Sequence, residues 1–362
     1  MPRNGNGKSF VIDHPHNEAS ALIEIHNQRL LEEQGWEEGF WIVSDEKEAP
    51  DAVAALGRPG GRQGSKWQVL PLKCKLGKGS DDQTTDDAEA MARAGSWIYV
   101  FGSQFGSKDG PLDPERHFVG RFNEATVRCS GGKLKGQMDL VRPVFCLHRL
   151  INDAFGQWKT KLIAAREVDR EYIQRSIEQT KSKWRDRLRE GDYPINVEGA
   201  TFLPSGRLLL GLRYPVSAGG QPLMVEIDGI DRLFEGKAGR PQVTRILVVQ
   251  NIGSKQRPKG IRELDQRGRT IHLISGDLDS DPQRSQILED HPRGEHAVSE
   301  HHRFVYPTDE RGGVRAEEVR RFTDEANVEG LALGERGRIW YVHDDEQIRL
   351  EVAEDRDVAK KS

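Results

Sequence analysis

The 362 residues contain only three cysteines, Cys74, Cys129 and Cys146, an odd number at wide spacing with no C-x-x-C pair. A disulfide framework is thereby excluded, and reduced thiols of a cytoplasmic protein are the expectation. No run approaches the roughly 18 consecutive apolar residues of a transmembrane helix, so no membrane partner is expected. The opening MPRNGNGKSFVIDH lacks the apolar core of a secretory signal, which again points to the cytoplasm. Charge of one sign is also missing. The formal net charge of −4 sets up no global field toward nucleic acid or anionic membrane. A G-x-S-x-G elbow is absent, so an α/β-hydrolase nucleophile has no support.

Three partial motifs fall short of their chemistry. GNGKS (5–9) lacks the first glycine and the preceding strand of a P-loop and reads as an unstructured start. DLDSD (277–281) is followed by Pro282 and Leu288 where a calcium loop needs glycine and glutamate, so it reads as a polar loop. His291, His296, His301 and His302 are not at a zinc spacing and read as a solvated loop.

What is present in quantity is glycine, 38 residues, with 17 prolines and 31% charged residues. The mean hydropathy is −0.70. So many turns suit a fold of short strands. The turns recur in phase. NVEGATFLPSGRLLLGLR (196–213) and NVEGLALGERGRIWYVHDDE (327–346) share N-x-E-G and a glycine eight residues after the glutamate. DDAEAMARAGSWIYVFGS (86–103) and KGIRELDQRGRTIHLISGD (259–277) repeat the pattern with the glycine six residues on, and Arg262 replaces the glutamate in the latter. A fainter copy, NEASALIEI with GFWIVSDE (17–25, 39–46), places Ser20 there. The spacings are 69, 109, 64 and 67 residues, and removing the 48 residues of 143–190 brings the 109 to 61.

Each copy reads as a strand, a glycine turn and a second apolar strand, with further strands after it. About four strands per unit make a propeller blade. The fold class is therefore all-β, a single β-propeller with a helical insertion, and an antiparallel sandwich is the competing architecture. Five blades are favoured, with six if a degenerate blade hides in 47–85 or 278–326. The strand SFVID (9–13) is expected to complete the last blade near IRLEV and close the ring. The organisation is 9–142 for the first two blades with the closing strand, 143–190 for the helical insertion, and 191–355 for the remaining blades.

In such a ring the start of each first strand and the end of each second strand face the same channel mouth. The first set is Ser20, Glu89, Glu198, Arg262 and Glu329. The second is Asp45, Glu46, Ser103, Arg213, Asp277, His343 and Asp344. Carboxylates gathered this closely must hold a cation, pair with arginine, or have raised pKa values. Arginine pairing is the expectation and no cofactor is needed. The alternative is a divalent cation such as Ca²⁺ on Glu89, Glu198 and Glu329.

The E-G-x-A/T phrase, with LLLGLRYP and YVFGSQFGSKDG after it, resembles an uncharacterised group of bacterial propellers known as a domain of unknown function. It is similar, more distantly, to the esterase-like phytase and gluconolactonase propellers, over most of 17–350 outside the helical stretch. In the gluconolactonase group a glutamate at the start of the first strand holds a divalent metal, and lactone hydrolysis is the activity. The resemblance implies that role for Glu89, Glu198 and Glu329. Arg262, and the lack of evident counterparts to the lactonases' asparagine ligands, are departures from that pattern.

The segment 143–190 has apolar residues at helical spacing, Leu147, Leu150, Ile151, Phe155, Trp158 and Leu162, continued by Ile173, Ile177, Trp184 and Leu188. It either packs over a blade edge or projects as an arm with Trp158 and Trp184 as anchors for a protein partner. Nucleic acid is not expected to bind, since acidic residues dilute its basic ones. Two functions follow. One is a non-catalytic propeller, an accessory or regulatory subunit holding a protein partner by its channel face or helical arm. The alternative is a metal-assisted ester, lactone or phosphoester hydrolase with a glutamate-lined central site.

Overall fold

The computed structural model describes residues 8–12, 19–60, 66–80, 84–107, 109–235, 240–279, 285–295, 297–308, 313–323, 327–334, 337–343 and 348–354. Residues 5–7 of GNGKS, 280 and 281 of DLDSD, His296 and Asp344 lie outside the described residues.

The recurring glycine is a hairpin glycine. Gly95, Gly206, Gly268 and Gly337 have φ between 61° and 83°, the left-handed conformation that a tight turn demands and a side chain resists. The turns join the two inner strands of four blades. The opening strand β1 (Lys8–Ile12) belongs to the last of them. Blade one is β2 (Ala21–Glu24), β3 (Trp36–Val43), β4 (Val53–Pro59) and β5 (Gln68–Leu76), with the short α1 (Gln28–Gln34) after β2. Blade two is β6 (Ala88–Ala94), β7 (Trp97–Gly102), β8 (Val119–Asn123), a short β9 (Arg128–Ser130) and β10 (Lys133–Val141). Then come α2 (Cys146–Gln157), α3 (Glu167–Gln179) and a 3-10 turn at Ser182–Arg187.

Blade three is β11 (Asn196–Phe202), β12 (Leu208–Tyr214), β13 (Leu223–Asp228) and β14 (Gln242–Gln250). Blade four contains β15 (Gly260–Arg267), β16 (Thr270–Gly276), α4 (Gln286–Asp290), β17 (Glu300–Val305) and β19 (Glu317–Arg321). Between the last two lies β18 (Val314–Arg315), which pairs in parallel with β14 of blade three. Blade five is β20 (Val328–Leu333), β21 (Arg338–His343) and β22 (Ile348–Glu354), completed by β1.

The described residues form five blades. The stretch 47–85 supplies the outer strands of blade one, and 278–326 supplies those of blade four. The closing strand pairs antiparallel with β22, from Lys8 opposite Val352 to Ile12 opposite Ile348. Two further pairings cover blade edges, β18 on β14 and a parallel pairing of β5 with β10 that joins blades one and two. Both satisfy backbone groups that an open edge would expose.

The inner strands β2, β6, β11, β15 and β20 pack each against the next in a closed ring. The core lies in layers between successive blades. Trp41, Met91 and Phe122 fill the first interface, and Tyr99, Phe202 and Leu210 the second. Leu209, Ile261 and Leu273 fill the third, Ile274, Leu331 and Tyr341 the fourth, and Phe40, Trp340 and Leu350 the last. Each fully buried large side chain contributes about 1.5–3 kcal/mol. The glycine after the ring glutamate belongs to this packing. A Cβ on Gly199 would meet Leu264 and the Glu263 backbone at 3.0 and 3.1 Å, and one on Gly330 would lie 2.3 Å from Val342.

The insertion does not continue as one helical run. The chain reverses after Trp158 through Lys159, at φ 51°, and is fastened to blade three by a bridge between Leu162 and Ser217. In α2, Leu147, Ile151 and Phe155 pack into the core between blades two and three. In α3, Tyr172 and Ile173 pack on Phe105, Tyr214 and Leu278, with Ile287 and Leu288 of α4 beside them. Phe105, Tyr214 and Leu278 lie at or just beyond the ends of second strands, so α3 lies across the channel-mouth face. Trp184 is packed in this cluster, 6.4 Å from Phe145 and nearly perpendicular to it. Trp158 is 40% exposed. Of the two tryptophans, Trp158 is exposed and Trp184 half-buried.

Candidate functional site

The ring residues owe their common orientation to an irregularity repeated in four blades. The pairing of β6 with β7 skips Glu89, and that of β11 with β12 skips Glu198. Likewise β15 with β16 skips Arg262, and β20 with β21 skips Glu329. Each is the extra residue of a β-bulge, a device that re-aims a side chain out of the pleat. On β12, Arg213 is skipped as well. Ser20 precedes β2 without a bulge, its amide bonded to the Val43 carbonyl.

Around Arg262, three blades meet in one ion-pair network. Its guanidinium is 1% exposed, with Nε 3.0 Å from Glu198 and Nη1 2.8 Å from Asp277, and it also pairs with Glu329. Arg213 donates to Glu198 at 2.6 Å and to Asp277 at 2.8 Å. Two arginines therefore face three carboxylates. Burial works against the charge on Arg213, but Glu198, Asp277 and the nearby Asp279 outweigh it and hold its pKa above the usual range. Asn196 and Asn327 each donate to the glutamate two residues on, at 3.4 and 3.3 Å. The N-x-E-G phrase is thus an amide that orients a carboxylate, followed by a glycine that admits the next inner strand.

Blade two departs from this scheme. Asp87 stands where blades three and five have asparagine, and Glu89 is not among the carboxylates that Arg262 and Arg213 bind. Glu89 instead shares a cluster with Asp45 and Asp87, each offering a carboxylate oxygen within 4.8 Å of the others. The cluster is set at the end of β3 and the start of β6 by hydrogen bonds around Asp87. The Asp87 amide donates to the Asp45 carbonyl at 3.1 Å, and the Ser103 amide to the Asp87 carbonyl at 3.1 Å. The Ser103 hydroxyl donates to the Asp87 carboxylate. Asp87 adopts φ 64°, uncommon for a residue with a side chain.

Burial raises the Asp87 pKa to about 6, Arg116 (3.0 Å away) and Ser103 acting against the rise and Asp45 adding to it. Glu89 is raised well above the carboxylate range by burial and then by Asp87, Glu198 and Asp45, with the nearby Arg213 acting against the rise. The sequence-based cation set of Glu89, Glu198 and Glu329 is therefore corrected. Glu198 and Glu329 are bound by arginine, and only Glu89 remains in a cation-capable group.

Of the other expected mouth residues, Glu46 is exposed. His343 is buried and pairs with Glu351 of β22 at 3.3 Å, toward the outside of blade five. The histidines read as a solvated loop are corrected too. His301 and His302 are buried on β17, where His301 bridges His272 and the Tyr341 hydroxyl at 2.9 Å each. His291 is buried at the end of α4. Asp87 and Arg116 were missed. Only Asp87 left a signal, as the acid that replaces asparagine in a repeated phrase.

The arrangement can do three things: hold a proton on a carboxyl near neutral pH, bind a hard cation, and stabilise an anion beside Arg116. No protein-family model matches the chain, and no curated protein matches it. Among solved structures it is similar to an arabinanase of Bacillus subtilis, 9% identical over 93% of this chain and 94% of that one, TM-score 0.41. It is similar to an exo-1,5-alpha-L-arabinanase from a bovine ruminal metagenomic library, 12% identical over 96% and 97% of the two chains, TM-score 0.39. A xylan beta-1,4-xylosidase of Bacillus halodurans is 7% identical over 92% of this chain, which spans 50% of that one, TM-score 0.37. These are propeller enzymes other than the phytase and lactonase groups named from the sequence, and the likeness concerns architecture alone.

Proposed function

We propose that the protein is a hydrolase of ester, lactone or phosphoester bonds, with its reacting centre at Asp45, Asp87 and Glu89. The observation that carries this reading is the departure of blade two from its own repeat. Blades three and five present asparagine, glutamate and a bound arginine, a neutralised unit that pins inner strands. Blade two presents two acids in those positions and leaves Glu89 beside further carboxylates. Perturbed carboxyls of this kind cluster at working sites, whereas a purely structural ring gains nothing from them.

Three oxygen donors suit a hard divalent cation such as Ca²⁺, which would offset the burial, and the carboxylate repulsion added to it, that raise Glu89 and Asp87. Bound there, such an ion would polarise a carbonyl or phosphoryl oxygen and acidify water. The chain's own groups supply the rest. Asp87 would be held ionised by the ion it helps to bind, so it serves as a ligand rather than as a proton carrier. Ser103 fixes its carboxylate, and Arg116 faces developing negative charge. The partner-binding reading rested on the channel face or the helical arm, and of these the arm is packed onto the propeller through α2 and α3.

The test is turnover of p-nitrophenyl acetate, a γ-lactone and p-nitrophenyl phosphate after EDTA treatment, with Ca²⁺, Mg²⁺ or Mn²⁺ restored in turn. One substrate class should be cleaved, with a loss of about 100-fold or more in Glu89→Gln and Asp87→Asn. No turnover of any class with any ion, or full activity in both variants, overturns the proposal.

A further inference from the structure

Away from the channel ring, the helical insertion meets blade four at a buried polar cluster. Asp169, in the first turn of α3, is 2% exposed, and Asp290 and His291, at the end of α4, are 5% and 6% exposed. Each of the three offers a ligand atom within 4.8 Å of the other two. The His291 Nε2 lies 3.3 Å from the Asp169 Oδ2 and 3.3 Å from the Tyr214 hydroxyl, which itself donates to Asp169 at 2.8 Å. Asp290 accepts the amides of Asp169 and Val168 at 2.9 and 3.4 Å, which locks its carboxylate against the start of α3. One oxygen stands apart. The Asp169 Oδ1 is fully buried with no hydrogen-bond partner among the described residues.

Among the described residues two buried carboxylates have a single imidazole as ion-pair partner, an excess of negative charge that a bound cation would offset. An unpartnered carboxylate oxygen in the same place is a lone pair waiting for one. We infer that Asp169, Asp290 and His291 form a site for a divalent transition ion of the zinc type, with the Tyr214 oxygen or water completing the shell. One imidazole nitrogen among carboxylate oxygens selects zinc-like ions over calcium or magnesium. The ligands come from positions about 120 residues apart, as the separation of 121 between Asp169 and Asp290 shows. The ion would therefore fasten α3 to α4 and hold the insertion down across the channel mouth. The site is separate from the Asp45, Asp87 and Glu89 cluster, and neither depends on the other.

The test uses the full chain, expressed with added zinc and purified without chelator. Metal analysis should find one zinc per chain in wild type and in Glu89→Gln, and less than a tenth of that in Asp169→Asn and His291→Gln. Cobalt(II) titrated into the zinc-stripped wild type should give visible d–d absorption saturating at one equivalent, absent in His291→Gln. Zinc should raise the thermal midpoint of stripped wild type and leave that of His291→Gln unmoved. If Asp169→Asn fails to fold, the cobalt titration of wild type and His291→Gln decides. Wild type that holds no zinc and gives no cobalt absorption overturns the inference, as does full zinc occupancy in His291→Gln.

Discussion

Arg262→Met is the most informative single perturbation of the channel ring. The guanidinium is 1% exposed and touches Glu198, Asp277 and Glu329. Methionine retains much of the volume and removes the charge, leaving three carboxylates to Arg213 alone. Breaking a buried pair by deleting one partner costs about 3–5 kcal/mol, a large share of a typical total of about 5–15 kcal/mol. With an unfolding entropy of about 2.1 cal/mol/K per residue, a chain of this length has roughly 0.8 kcal/mol/K, so the midpoint should fall by about 4–7 °C. Calorimetry at pH 8, with and without EDTA, checks the loss. A loss below about 1 kcal/mol at pH 8, or a large EDTA effect on wild type with little effect of the substitution, would refute the arginine-balanced ring.

Four further outcomes follow from the same geometry. Asp87 has a folded pKa raised to about 6 from 3.8, so it withdraws stability progressively as pH rises through that window. Asp87→Asn should accordingly raise the midpoint at pH 8, with the gain vanishing below pH 4, as pH-resolved melting would show. Added Ca²⁺ should raise the midpoint of wild type and not that of Glu89→Gln, measured by thermal shift. Removing residues 1–14 deletes β1 and opens blade five, and should lower the midpoint sharply; an unchanged midpoint would show that the ring does not depend on this strand. Gly330→Ala forces a Cβ to 2.3 Å from Val342 and should cost on the order of 1–3 kcal/mol by denaturant titration, although its φ lies outside the left-handed region.

Phase was the legible part of this chain. A turn glycine six or eight residues after the ring residue, preceded by E-G in blades three and five, set the inner strands of four blades, since turn geometry and pleat are local properties of a few consecutive residues. Ring closure by the first strand followed from the same count, because an incomplete last unit leaves an edge that the chain must cover. Even the odd member was written in the repeat, as Asp87 in the place of Asn196 and Asn327. What the phase could not say is which charges meet. Glu89 and Glu198 occupy the same position in neighbouring blades, yet one lies among carboxylates and the other between two arginines. That choice depends on how far Arg213 and Arg262 reach across the channel and which bulge aims them. The insertion's resting place, and the meeting of Asp169 with Asp290 and His291, depend likewise on where α3 is laid down. Local sequence pattern specifies strands and turns because their geometry is local; pairing across the channel is decided by distances that exist only once the ring has closed.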